Sequence, residues 1–195
     1  MTRSQHAAHC YTYDEYQAFP AEEQWEIIEG VAYHMTPAPS PLHQRIVNKL
    51  NNTIYNYLVQ TGNPQFEVFI APMDVYLTPV SASKPLTVVQ PDLIVSTNPD
   101  CIKANGYYGA PAWVIEVLSP STAGRDVISK RRLYEVNGVR EYWIVDPTHN
   151  LVTRFYLCNN EYAKAEFFSQ NNLIGSVVFP ELSINLAHIF PATAE

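Results

Sequence analysis

The chain has 195 residues, with 12 Lys and Arg against 19 Asp and Glu, a formal net charge of −7 and an apolar fraction of 47%. That length suits one domain with a sizeable core, and no apolar run approaches the roughly 20 residues that a membrane helix needs. The acidic balance argues against a general, sequence-blind nucleic-acid binder, for which a basic footprint is expected. Cys10, Cys101 and Cys158 lie far apart with no CxxC pattern, and the N-terminal stretch through Tyr16 holds no apolar core of signal-peptide length. The reading is a cytoplasmic protein without a disulfide framework and without a membrane partner.

Taken in order, residues 1–11 carry no periodicity and read as a disordered N-terminus ahead of a single domain over 12–195. Thr12-Tyr13-Asp14-Glu15 has the form of a capping box and predicts a short helix to about Phe19, ended by Pro20. Trp25–Ile28 and Val31–Met35 flank a Glu29-Gly30 turn and read as an N-terminal hairpin. The proline-rich stretch 36–41 is a rigid connector. Ser40 followed by Pro41 starts a helix whose Ile46, Val47, Leu50, Ile54, Tyr57 and Leu58 share one side, as far as Gly62.

Strands are expected over 66–70, 73–78 and 87–96, with a loop over 79–85 and a longer irregular connection over 98–111. Trp113–Leu118 reads as a buried strand. Ser121 or Thr122 caps a following helix that runs to Asn137 and is closed by Gly138. Glu141–Asp146 is a second buried strand, ended by Pro147. Shorter strands over 152–157, 163–168 and 177–179, with an amphipathic piece over 186–190, make a β-rich tail. There is no internal repeat, no low-complexity tract and no linker.

Within the strand 113–118 the one charge is Glu116, and within 87–96 it is Asp92. A carboxylate in so apolar a strand is buried, at a cost of several kcal/mol unless a cation or hydrogen-bond donors meet it. Alternation puts Val114, Glu116 and Leu118 on one face, and Gln90, Asp92 and Ile94 on one face of the other strand. If the two strands are neighbours, the carboxylates converge. Converging carboxylates repel unless protonated or bridged by a cation, and all-oxygen ligation suits Mg²⁺ or Mn²⁺. Asp126, Lys130 and Tyr134 follow at i, i+4 and i+8 as one helical stripe, with Val127 and Val136 also inward, which brings an amine over the strand ends.

Plainer readings stay open beside this one. Asp92 and Glu116 are then a structural pair tied to a buried Lys or Arg, and Lys130 a surface partner of Asp126 worth a few tenths of a kcal/mol. Arg131 and Arg132 are then a solvated helix face. His43 lies near a helix N-terminus, where the dipole disfavours the imidazolium, and serves in capping, packing or function. His6, His9 and Cys10 are near one another without ligand spacing. Tyr134, Tyr142 and Trp143 read as core aromatics. Nucleophile-elbow, phosphate-loop and dinucleotide-binding patterns are absent.

Several segments together carry a family resemblance. They are Gln90-Pro91-Asp92, the run Val114-Ile115-Glu116-Val117-Leu118-Ser119-Pro120-Ser121-Thr122, the spacing Asp126…Lys130…Tyr134…Gly138-Val139, and Glu141-Tyr142-Trp143-Ile144-Val145-Asp146-Pro147. With Trp25 to Gly30, Ser40 to His43 and Pro72 to Val75, this pattern resembles the "putative restriction endonuclease" family of the PD-(D/E)XK nuclease superfamily, over about Tyr13 to Phe190. The resemblance implies an α/β (α+β) fold: a restriction-endonuclease-like mixed sheet flanked by helices, with an N-terminal hairpin and a β-rich C-terminal extension. It implies Asp92 and Glu116 as metal ligands, joined by the Val117 carbonyl.

The superfamily's lysine position, two after the Glu, is Leu118 in this chain, and Lys130 from the helix is the replacement. Glu26 matches an acidic position of the family and completes the catalytic set. Arg125, Arg131 and Arg132 are the expected phosphate contacts, with His43, Asp74 and Gln90 as accessory residues. The expected activity is Mg²⁺- or Mn²⁺-dependent hydrolysis of nucleic acid, DNA rather than RNA, by a chain that acts as a homodimer. The competing expectation is a non-catalytic module that binds nucleic acid or protein on the same fold.

Overall fold

The computed structural model describes residues 9–20, 22–35, 39–77, 86–119 and 129–191. Within them the chain order is α1 (Tyr13–Gln17), β1 (Trp25–Ile28), β2 (Val31–His34), α2 (Pro41–Thr61), β3 (Glu67–Ile70), β4 (Val75–Tyr76), β5 (Val88–Val89) and β6 (Leu93–Ser96). Then come β7 (Ile102–Lys103), β8 (Gly106–Tyr108), β9 (Trp113–Val117), α3 (Arg131–Val136), β10 (Glu141–Asp146), β11 (Leu151–Cys158) and β12 (Glu161–Tyr162). The chain closes with β13 (Glu166–Ser169), β14 (Leu173–Gly175), β15 (Ser183–Asn185) and α4 (Leu186–Ile189).

The central sheet has the order β12-β11-β10-β9-β6-β3, with β13 also on β11. Its β9 and β10 run parallel, while β6 and β3 continue it antiparallel. Because β9 is buried along its whole length, both faces of this sheet must be covered. One face carries Leu93, Val95, Trp113, Ile115, Val117, Trp143 and Val145, packed against the buried side of α2 and against Ile184, Leu186 and Phe190 of the C-terminal extension. The other carries Ile94, Val114, Tyr142 and Ile144, packed against Val75, Val89, Tyr107, Leu133 and Tyr134. A second sheet of order β2-β1-β5-β4-β8-β7 supplies part of that cover.

The long helix forms as its sequence dictates. Ser40 Oγ accepts from the His43 amide, Pro41 opens the first turn, and Gly62 closes the helix at φ 65°. Ile46, Val47, Leu50, Ile54 and Leu58 supply the buried stripe. No helix among the described residues is long and apolar enough to cross a membrane. This is the expected mixed α+β architecture, with the N-terminal hairpin and the β-rich C-terminal region in place. The hairpin is not free-standing, because Ile27 pairs with Val88 and joins β1 to the second sheet.

Several expected elements differ. The strand expected over 87–96 is two strands, β5 and β6, broken at Gln90-Pro91-Asp92. Pro91 has no N–H and cannot continue a ladder. The connection 98–111 contains the β7–β8 hairpin, which turns into Gly106 at φ 149°. Of the strand expected over 163–168, only 166–168 lie in a strand, β13, and 163–165 form the connection from β12. Val136, expected to face inward, is 66% exposed. The Ser121 or Thr122 cap, Arg125, Asp126, Val127, the loop over 79–85 and the connector over 36–38 lie outside the described residues.

No strand forms over 177–179, since the amides there have other partners. Glu141 on β10 accepts from Trp143 Nε1 on one oxygen (2.8 Å). On the other it accepts from Ser176 Oγ (2.7 Å) and from the Val177 and Val178 amides (2.8 and 3.0 Å). Burial pushes this carboxyl up, against the pull of those donors. The cluster ties the C-terminal extension to the central sheet. Glu141→Gln presents an NH₂ group to donors on one side or the other, and it is expected to cost about 3 kcal/mol. Urea unfolding followed by tryptophan fluorescence checks this; an unchanged midpoint would remove the cluster from the account of stability.

Candidate functional site

Asp92 sits in the break between β5 and β6, one step beyond the Leu93–Ile115 pair, and so opposite Glu116 on β9. The backbone ladder stops there. In its place the Val117 amide donates to Asp92 Oδ2 at 2.7 Å. The same oxygen lies 3.2 Å from Nε2 of His43, in the first turn of α2. The broken strand therefore leaves a carboxylate where a backbone carbonyl would have been, with its side chain 20% exposed.

Glu116, on the face of β9 that points toward α3, is met by protein donors. Its Oε1 accepts from Lys130 Nζ at 2.9 Å and from the Tyr134 hydroxyl at 2.8 Å. Lys130 also lies 2.8 Å from Glu26 Oε1 on β1, an oxygen that accepts from the Gln90 amide at 3.0 Å. The side chains of Lys130, Glu26 and Glu116 are 5%, 9% and 7% exposed. Three ionised groups buried this deeply hold one another in place, since each alone would be several kcal/mol too costly. Burial and the Glu116 charge drive the Tyr134 phenol well above its ordinary range, so it remains a donor.

One cation shared between two carboxylates leaves a residual negative charge, and Asp92 adds another. Among the described residues, a nearby compensating group is His43. Burial pulls its imidazole down, but the Asp92 hydrogen bond and charge, the Val117 backbone and the Glu116 charge more than reverse this, so that it titrates above its ordinary value. The helix-terminus argument, which favours a neutral ring, loses to the adjacent carboxylate.

The sequence-expected residues divide accordingly. Asp92, Glu116, Val117, Lys130, Glu26 and His43 come together. Gln90 joins them through its amide, and its side chain reaches Asp74 at 2.8 Å. Arg131, 39% exposed, pairs with Glu135 at 3.6 Å and lies over the Phe155 ring at 5.3 Å. Arg132 is exposed on α3. Tyr16 and Tyr76, which sequence reasoning did not single out, both donate to Asp74 at 2.9 and 3.0 Å. The Tyr16 contact joins α1 to the residue before β4 across 58 positions, so no local pattern marks it, whereas Tyr76 lies only two positions from Asp74.

A divalent ion's fit can be judged from the donor set. Among the described residues no three His, Cys, Asp or Glu side chains form a ready-made metal cage. Mg²⁺ does not need one; it keeps several waters and takes one or two carboxylates. Asp92, Glu116 and the Val117 carbonyl would supply oxygen donors for such an ion, with the imidazole of His43 as a nitrogen donor once deprotonated.

A mixed sheet flanked by helices, with paired carboxylates and a buried lysine at a broken strand, defines a protein of the restriction-endonuclease-like class. The family described as "Uma2: Putative restriction endonuclease" matches residues 12–187, and the chain belongs to it. Among solved structures, the chain is similar to the crystal structure of "a putative nuclease belonging to DUF820 from Anabaena variabilis ATCC 29413". That likeness has a TM-score of 0.72 and 24% identity, over 92% of this chain and 97% of the other. No curated protein matches.

Proposed function

We propose that this chain is a metal-dependent endonuclease that hydrolyses phosphodiester bonds, of DNA in preference to RNA. The observation that carries the reading is Lys130, buried at 2.8 and 2.9 Å from Glu26 and Glu116, with Asp92 opposite Glu116 across the strand pair. Structural ion pairs perturb cores too, but a salt bridge made only for stability is readily replaced by apolar packing.

Asp92, Glu116 and the Val117 carbonyl, with His43, would hold Mg²⁺ or Mn²⁺; such an ion polarises a phosphoryl oxygen and acidifies water. Asp92 keeps its geometry through the Val117 amide, and Glu116 through the Tyr134 hydroxyl. Lys130 replaces the absent strand lysine at Leu118. Its fixed positive charge offsets the charge that builds on the phosphoryl group. Glu26 holds that ammonium in line from the second sheet. Arg132, with Arg125, would contact flanking phosphates, which positions the strand without specifying its sequence. Two such centres are needed to cut a duplex, so we read the acting form as a homodimer.

The net charge of −7 and the engagement of Arg131 with Glu135 favour the competing reading, a binding module that does not cut. Cleavage of single-stranded DNA, duplex DNA and RNA with Mg²⁺, Mn²⁺ or EDTA separates the two. Metal-dependent cutting that disappears in Glu116→Ala is the expected result. Cutting that survives this substitution would overturn the assignment, and binding without cutting would establish the module.

A further inference from the structure

Beside the immediate site, Asp74 is a carboxylate bonded on both oxygens. Its Oδ1 accepts from Tyr16 Oη (2.9 Å) and from Gln90 Nε2 (2.8 Å), and its Oδ2 accepts from Tyr76 Oη (3.0 Å). Tyr76 in turn accepts from Gln17 Nε2 at 3.0 Å. A carboxylate met by donors on both oxygens is a poor candidate for a ligand, and a good one for a fixed point.

The rest of the surroundings hold it still. Its own carbonyl accepts from the Tyr107 amide at 2.8 Å. A Cβ on Gly106 would come within 2.7 Å of that carbonyl oxygen, so β8 closes against Asp74 only because residue 106 has no side chain. Tyr76 is stacked on Tyr108 with centroids 4.5 Å apart and planes at 15°, which fixes the phenol that bonds Oδ2. The helix that carries Tyr16 is started by a reciprocal Thr12–Glu15 capping box. Burial and Asp74 itself push both Tyr16 and Tyr76 well above the ordinary phenol range, so both remain donors.

What Asp74 grips is Gln90. The same residue that gives its side chain to Asp74 gives its amide to Glu26 Oε1, and it precedes Asp92 by two positions across Pro91. We propose that Asp74 is a positioning residue: anchored by Tyr16 and Tyr76, it clamps Gln90 and so fixes Glu26 and the Asp92 segment at the candidate centre. The role of that centre rests on the nuclease reading; the clamp itself is a property of the fold. Helix α1 thus becomes part of the site's frame, since two of its five residues, Tyr16 and Gln17, reach the clamp.

The test is hydrogen exchange by NMR on the protein without added metal, read at the Gln90 and Val117 amides, which bond Glu26 and Asp92. In Asp74→Ala these two amides are expected to exchange roughly tenfold faster, with central β9 amides unchanged. Asp74→Asn keeps an oxygen for Tyr16 and Gln90 and lets the Tyr76 hydroxyl turn to accept, so it should protect both amides nearly as the wild type does. Tyr16→Phe, which removes one hydroxyl, should move them in the same direction as Asp74→Ala but less.

Mn²⁺ affinity by calorimetry is expected to fall about 10- to 100-fold in Asp74→Ala and to be restored in Asp74→Asn. Unchanged exchange at Gln90 and Val117 in Asp74→Ala overturns the proposal, as does an Asp74→Asn variant as impaired as the alanine. The amide readout needs no metal. A wild type inert toward Mn²⁺ would therefore sink the nuclease reading, while the exchange data would still decide the clamp.

Discussion

Lys130→Met is expected to abolish cleavage, by about 10²-fold or more, and to destabilise the protein by about 3–5 kcal/mol. The two effects have one origin. Methionine fills the space of the lysine stem but removes the ammonium that bridges Glu26 and Glu116 at under 3 Å. Tyr134 and the Gln90 amide still donate to them, yet neither brings a positive charge. Adding Glu26→Gln removes one of the two opposed charges, so the double variant should recover part of the stability and none of the activity. Urea unfolding of the single and double variants, run as a thermodynamic cycle beside a cleavage assay, reads both. A Lys130→Met protein of wild-type stability would show that the lysine adds nothing to the fold. If that protein also cut, Lys130 would have no place in the chemistry.

Much of this site was legible because it breaks the hydrophobic pattern. Glu116 announces itself as the lone charge in an apolar strand, and its burial obliges the chain to supply donors. Lys130 and Tyr134, one helical turn apart, supply them, and their four-residue spacing places both on the same oxygen. Asp92 is legible for the same reason, although the apolar run around it forms two strands rather than one. The proline that makes the break also frees the carboxylate to bond the Val117 amide.

What could not be read were contacts set by the second sheet. That Glu26 faces Lys130 depends on β1 joining β5 beside Gln90, and a single paired position, Ile27 with Val88, makes that junction. The Tyr16–Asp74 and Ser176–Glu141 contacts join residues 58 and 35 positions apart, with no periodicity to betray them. Glu141 begins a buried strand just as Glu116 sits within one. Its partners are backbone amides of the tail, and amides leave no signature in a sequence. The basic stretch is legible as charge but its contacts are not, since Arg131 is engaged by Glu135 and Phe155.

In Asp92→Asn, the His43 imidazole is expected to titrate lower than in the wild type. Burial is the largest influence on the ring and pulls it down; the Asp92 hydrogen bond and charge come next and hold it up. Asparagine keeps the shape and an oxygen that accepts from the ring, but it removes the charge that favours the imidazolium. Because the folded value in the wild type lies above that of an unfolded histidine, near 6.5, the protonated pair stabilises the fold fully below about pH 6.5. That contribution is lost as pH rises through the folded value. The stability gap between wild type and Asp92→Asn, about 1–3 kcal/mol at the acid end, should therefore narrow across this window. It does not vanish, since the Val117 amide loses its charged acceptor at every pH. A divalent ion competes with the same proton, so wild-type Mn²⁺ affinity should rise over the same interval, and Asp92→Asn should bind it more than about 100-fold more weakly. An NMR titration of the His43 ring in both proteins decides the matter. A ring that titrates alike in both would mean that Glu116 and Val117 hold the imidazolium, and Asp92 would then lose its place as the residue that trades a proton for the metal.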